Sequence, residues 1–229
     1  MAPKRQERSS KFNSVSAEYE DEILVAYESI LGEEEDLYLL QISEFFTHLQ
    51  IPNCYTKDVL ACVELYYDKL RGHNIKYDAD NSWHTIEIQF LQNYTLFSTF
   101  EADSSHLFDE VIDIVDIDKL LKRTAKFLFF RDNHLFIKES WGLFIKKVAA
   151  DLNSTKALDY KLTMPDLQKL KVELGLENEL SDGLLIDMLG CCATVNGEIV
   201  NYDFSKISQG KFVAIRDFAE ILGQIGEFD

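Results

Sequence analysis

Proline is scarce in this chain, with three in 229 residues, and so are the features that usually announce chemistry. Its ten glycines form no glycine-rich phosphate loop, which leaves the commonest nucleotide-binding motifs without a candidate. The four cysteines, Cys54, Cys62, Cys191 and Cys192, contain no CxxC pair, and two adjacent cysteines do not easily close a relaxed disulfide. They read as reduced and mostly buried, and Cys191 and Cys192 fall at a helix C-terminus, where the dipole disfavours a thiolate. The histidines His48, His73, His84, His106 and His134 are scattered, so no metal-ligand cluster emerges and an enzyme is not expected. No cofactor is expected either. No apolar run reaches the roughly 18 residues of a membrane span, and no secretory leader is recognisable at the start, which predicts a soluble intracellular protein.

Positive charge is the other shortage: 23 Lys and Arg stand against 40 Asp and Glu, a net charge of −17. Affinity for a phosphate backbone comes from basic residues that displace counterions, so direct nucleic-acid binding is not expected and a basic partner is. The exception is local. Lys4, Arg5, Arg8 and Lys11 oppose only Glu7 in the opening segment, which is also rich in serine. Residues 1–17 therefore read as a disordered basic tail, either plainly solvated or carrying a localisation or phosphorylation signal.

What the chain has in quantity is helical periodicity. Ile23, Tyr27 and Ile30 define a first amphipathic helix; Phe45, Phe46 and Leu49 a second, broken by Pro52; Val59, Leu60, Val63, Tyr66 and Tyr67 a third. From His73 to Asp109 the residues turn strand-prone and aromatic (Trp83, Thr85, Ile86, Ile88, Phe90, Tyr94, Phe97), which marks an insertion. Helices resume with Ile117, Leu120, Leu121, Thr124 and Phe127, then with Trp141, Phe144, Ile145 and Val148. Thr163 and Asp166 form a capping box with Pro165 in the first turn, Gly175 terminates, and Ser181 caps Leu184, Leu185, Met188 and Leu189. Phe218, Ile221, Leu222 and Ile225 close the chain. The expected fold is mainly α, with residues 18–130 as one lobe carrying the 73–109 insertion and residues 131–229 as a second.

The run from Leu162 through Thr163, Asp166 and Gly175 to Ser181 and Met188 resembles the linker between the two C-terminal hands of calmodulin and centrin. A calcium loop places oxygen ligands at positions one, three and five, glycine at six and glutamate at twelve. With Glu44 at twelve in the first loop, Leu37 and Tyr38 fall at five and six. The second puts Lys119 at twelve. The third, counted back from Asp166, places Thr155, Ala157 and Asp159 at one, three and five and Tyr160 at six, which leaves too few oxygens. The fourth fits either a register with Gly197, Ile199, Asp203 and Phe204 or one with Gly210, Val213, Asp217 and Phe218, the second being favoured because Gly210 would interrupt a helix begun at Phe204. Each loop is incomplete, so the resemblance implies paired EF-hand lobes with degenerate loops and short loop strands.

Together with Glu20-Asp-Glu-Ile-Leu24, Phe45-Phe46-Thr-His-Leu49 and Asp116-Ile-Asp-Lys-Leu-Leu121, these segments resemble the fungal centrin-like accessory subunit of the nucleotide-excision-repair damage-recognition complex. That resemblance implies a nuclear protein, with the cytoplasm as a second location, that stabilises the damage-recognition subunit by gripping one of its apolar helices without calcium. Carried over by position, the groove draws on Leu167, Leu170, Leu174, Leu185, Met188, Leu189, Phe218, Ile221 and Leu222, with Met188 foremost because methionine adapts to irregular contacts. A folded hand must bury much of the same stripe, so part of this set is expected to be core. The alternative is a light-chain-like subunit clamping a helix of a cytoskeletal or motor protein.

Overall fold

The computed structural model describes residues 9–67, 91, 94–97, 111–150, 152–190 and 212–228. The chain divides into two compact units, Lys11–Arg131 and a second made of Asp132–Asp229 with Met1–Ser10. Mainly helical structure is what the periodicity predicts.

In the first unit α1 spans Ala17–Leu31. Ser16 caps it, its hydroxyl accepting the Tyr19 N–H at 3.2 Å, with Glu18 and Glu20 in the first turn where the helix dipole favours negative charge. Gly32, at φ +58°, ends it in a conformation that an L side chain rarely adopts. A 3-10 turn, Leu39–Gln41, leads into α2, Ile42–His48, and α3 runs from Asn53 to Leu65. β1, Thr95–Phe97, pairs antiparallel with β2, Val111–Val115, and Tyr38 bridges Ile114. α4 covers Ile117–Asp132, its first turn capped by Asp116, which accepts the Lys119 N–H at 3.1 Å.

The core of this unit is aromatic. Phe46 meets Phe127 edge-on at 5.6 Å, and Tyr55 lies 5.3 Å from Phe130. Arg131 ties three elements together: its guanidinium donates to both Glu22 carboxylate oxygens and, at 3.0 Å, to the Leu49 carbonyl, closing the end of α2 against α1.

Two expectations need correction here. The opening residues are not all a solvated tail: Phe12 is 3% exposed and packs on Phe129 and Phe130. Burial of the ring and its two aromatic contacts offset part of the chain entropy lost in ordering the turn around it. Residues 1–8 of that tail lie outside the described residues. The first loop, in turn, does not close at Glu44. Leu37 and Leu39 are fully buried, and the Leu37 carbonyl accepts the Val115 N–H at 2.7 Å, which sets the register three residues earlier. Gln41 is the side chain that turns back, accepting the Tyr38 N–H at 2.8 Å. Of the insertion, Tyr94 and Thr95 are buried and residues 95–97 form the expected strand character; Trp83, Thr85, Ile86, Ile88 and Phe90 lie outside the described residues.

The second unit contains α5, His134–Val148; a short α6, Ser154–Leu158; α7, Met164–Glu173; α8, Asp182–Gly190; and α9, Ile215–Gln224. α5 packs against α6, α7 and α9, and α7 against α8. Its centre is Trp141, fully buried, whose indole N–H donates to the Ala157 carbonyl at 2.7 Å and whose ring lies 5.5 Å from Phe218. Leu162 and Val213 exchange both backbone hydrogen bonds, at 3.0 and 2.9 Å, in an antiparallel bridge. That bridge selects the register with Val213 and Asp217 for the last loop, as favoured from the sequence; Gly197, Ile199, Asp203, Phe204 and Gly210 lie outside the described residues.

Candidate apolar binding face of the second unit

The expected groove residues divide by burial along their helices. On α7, Leu167 and Leu170 are buried, whereas Leu174, one residue past its end, is exposed. On α8, Leu185 and Leu189 are buried and Met188 is 41% exposed. On α9, Phe218 sits between Trp141 and Phe144, each ring 5.5 Å away, Leu222 is half-buried and Ile221 is exposed. Leu167, Leu170, Leu185, Leu189 and Phe218 thus serve the core, and Leu174, Met188 and Ile221 face outward. Along the same stretches, three further outward residues were not placed in the groove from the sequence: Val172, Leu184 and Ile225. The signal was available for two of them, since Leu184 and Ile225 stand four residues from Met188 and Ile221, the spacing that stacks side chains on one helix face.

The elements that present these side chains are fastened by polar contacts. Asp182, first residue of α8, accepts Lys171 Nζ at 2.7 Å and Gln168 Nε2 at 2.9 Å, both from α7. These two hydrogen bonds hold the Asp182 carboxyl below its usual range, against a small opposing effect of burial. Ser181 caps α8 by accepting the Leu184 N–H at 3.2 Å. Gly175, at φ +68°, reverses the chain after α7.

The side chains at the loop ends are occupied as helix caps. Asp166 accepts Thr163 N–H at 2.9 Å, Thr163 Oγ1 at 2.8 Å and Tyr160 Oη at 3.2 Å. The buried Asp217 accepts the Ala214 N–H at 3.0 Å. Among the described residues no group of three His, Cys, Asp or Glu is placed to hold a metal ion, and no helix is long and apolar enough to cross a membrane. What the exposed Leu, Met, Ile and Val side chains offer is apolar area, which binds by displacing water and does no proton or electron chemistry.

By class, then, this is a mainly helical protein of two units, each with antiparallel loop pairing ahead of capped helices, and with an outward apolar set on α7, α8 and α9. The chain belongs to the Rad33 family, whose model matches residues 9–179. The match takes in the first unit and α5 to α7, and stops short of α8 and α9. Among curated proteins the chain is similar to the DNA repair protein RAD33 of Saccharomyces cerevisiae (strain ATCC 204508 / S288c), 26% identical over 121 residues. That alignment covers 51% of this chain and 58% of the relative, so the chain spans rather under two thirds of the relative's length. No solved structure matches.

Proposed function

We propose that this chain is a non-enzymatic accessory subunit of nucleotide excision repair, which binds and stabilises the damage-recognition protein, the fungal counterpart of the xeroderma pigmentosum group C protein, by gripping one of its apolar helices. Family membership and the name of the yeast relative, a DNA repair protein, support the repair context. The observation that carries the binding mode is the outward set Leu174, Leu184, Met188 and Ile221 in a protein of net charge −17, which suits an amphipathic helix with apolar anchors and a basic flank. The same negative charge opposes direct contact with DNA.

The fold in this reading is that of paired degenerate EF-hands. Two features support it: the Leu162–Val213 bridge with its counterpart at Tyr38–Ile114, and the placement of Gln41, Lys119, Asp166 and Asp217 three residues after each loop strand's cap. Calcium loops end in a bidentate glutamate. Here two of those positions hold an amide and a cation, and Asp166 and Asp217 accept hydrogen bonds from their own helix entrances, so binding is calcium-independent. A nuclear location follows from the repair role.

A pull-down of the intact protein with a recombinant C-terminal fragment of the damage-recognition protein, with calcium and with chelator, beside Met188→Asp, tests this. Capture unaffected by chelator and lost in the variant is the expected result. Capture abolished by chelator would overturn calcium independence; no capture in either buffer would overturn the repair role in favour of a light-chain-like clamp on a cytoskeletal or motor helix.

A further inference from the structure

The first unit holds a feature that helix gripping by the second does not use. Phe12 belongs to no helix or strand, yet its ring lies 5.4 Å from Phe129 edge-on and 5.8 Å from Phe130 in a stacked arrangement, with Tyr19 edge-on to Phe129 at 6.4 Å. Two cations complete the arrangement: Lys126 Nζ stands 5.0 Å over the Phe12 ring, and Lys11 Nζ 5.7 Å over that of Phe129. Around the plug the backbone is a single turn, Ser14 N–H and Oγ both donating to the Lys11 carbonyl. Lys11, Asn13 and Ser14 are exposed, so within this turn it is Phe12 that is buried. A lone aromatic anchor beside a cation, seated among aromatic rings, is the form that peptide ligands take in aromatic sockets.

We propose that the Tyr19, Phe129 and Phe130 socket is a binding site for a basic segment carrying an aromatic anchor, held shut in this chain by its own Lys11 and Phe12. The ligand it takes in exchange is a peptide with Phe, Tyr or Trp next to Lys or Arg. The body of the chain is acidic and the opening segment basic, so the field that retains the segment in cis also draws such a competitor. The socket rings, Lys11 and Phe12 all lie within Lys11–Arg131, whereas Met1–Ser10 is counted with the second unit.

The test uses the full chain and a labelled synthetic peptide of residues 1–16. Three proteins are compared by fluorescence anisotropy: the unaltered chain, Phe12→Ala, which empties the socket, and Lys11→Glu, which weakens the seat from the exposed side. The expected result is that Phe12→Ala binds the peptide at least tenfold more tightly than the unaltered chain. Lys11→Glu falls between the two, and a Phe12→Ala peptide binds none of them. If the variants keep their helix content and take the peptide no better than the unaltered chain, Phe12 is ordinary core and the proposal fails. Should Phe12→Ala lose its helices, their recovery on adding the peptide supports the site, and no recovery overturns it.

Discussion

Met188 and Leu189 are neighbours on α8 and face opposite environments, 41% and 0% exposed, which makes Asp at each position a paired test of what the helix does. Leu189→Asp removes a buried leucine, a loss of about 2–5 kcal/mol from packing alone. It also leaves a carboxylate in an apolar interior, at a further cost of several kcal/mol. The sum reaches the whole stability of a typical domain, about 5–15 kcal/mol. Met188→Asp gives up only part of a methionine's burial, about 1 kcal/mol. Lower helix propensity and a negative charge in the last turn add about 1 kcal/mol more. In urea melts followed by far-ultraviolet circular dichroism, Met188→Asp is expected to shift the midpoint down by about 1 M. Leu189→Asp is expected to remove the folded baseline of the second unit. Binding to the damage-recognition fragment should be lost in both, but only Met188→Asp loses it while folded. Equal unfolding by the two variants would refute the assignment of Met188 to the outward face. A folded Met188→Asp that still binds would refute the groove.

Trp141→Phe breaks the indole hydrogen bond to Ala157 and leaves a small cavity beside Phe218; a loss of about 2–3 kcal/mol is expected in a thermal melt. Thr124 is fully buried in α4 with no partner for its hydroxyl among the described residues, so Thr124→Val should be neutral or stabilising by about 1 kcal/mol, read from the urea midpoint. The hydrogen bonds from Lys171 and Gln168 lower the pKa of Asp182 in the folded state, so their contribution is present above the usual carboxyl value of 3.8 and is lost as pH falls through the lowered value. Asp182→Asn should accordingly fall below the unaltered chain in urea midpoint at pH 7, with a gap that narrows as the pH drops below 3.8. Burial, and then Lys138, lowers the pKa of His134; stability is therefore expected to decline as pH drops through the ordinary value of 6.5, and His134→Asn should flatten that part of the profile.

The elements most legible in the sequence are those fixed by short-range chemistry. Thr163, Pro165 and Asp166 announce the start of α7, and Ser181 that of α8, because a cap needs only side chains three residues apart. The last loop was readable in part: two registers fitted, and Gly210 with the apolar run after Asp217 favoured the one in which Val213 pairs with Leu162. The first loop was not. Leu37, Tyr38, Leu39 and Leu40 are four large side chains in a row, and which of them faces inward is decided by Val115, far away in sequence, rather than by local pattern. Phe12 failed for the same reason: a single aromatic in a polar stretch has no period, and its partners lie more than a hundred residues on. For the groove, periodicity found the helices but could not separate Leu185 and Leu189 from Met188, because a stripe wide enough to fold on is also wide enough to bind with.

The reciprocal pairing of Leu162 with Val213 also bears on how the second unit is built. Among the described residues it joins one half, with α5 to α7, to another, with α8 and α9, and each half contributes one residue to the bridge and helices that pack against the other half. The unit is in effect a dimer written into one chain, with the Leu176–Leu180 turn as its tether. Shortening or straining that tether would favour the same bridge forming between two molecules, with the C-terminal half of one chain completing the α5 to α7 half of another.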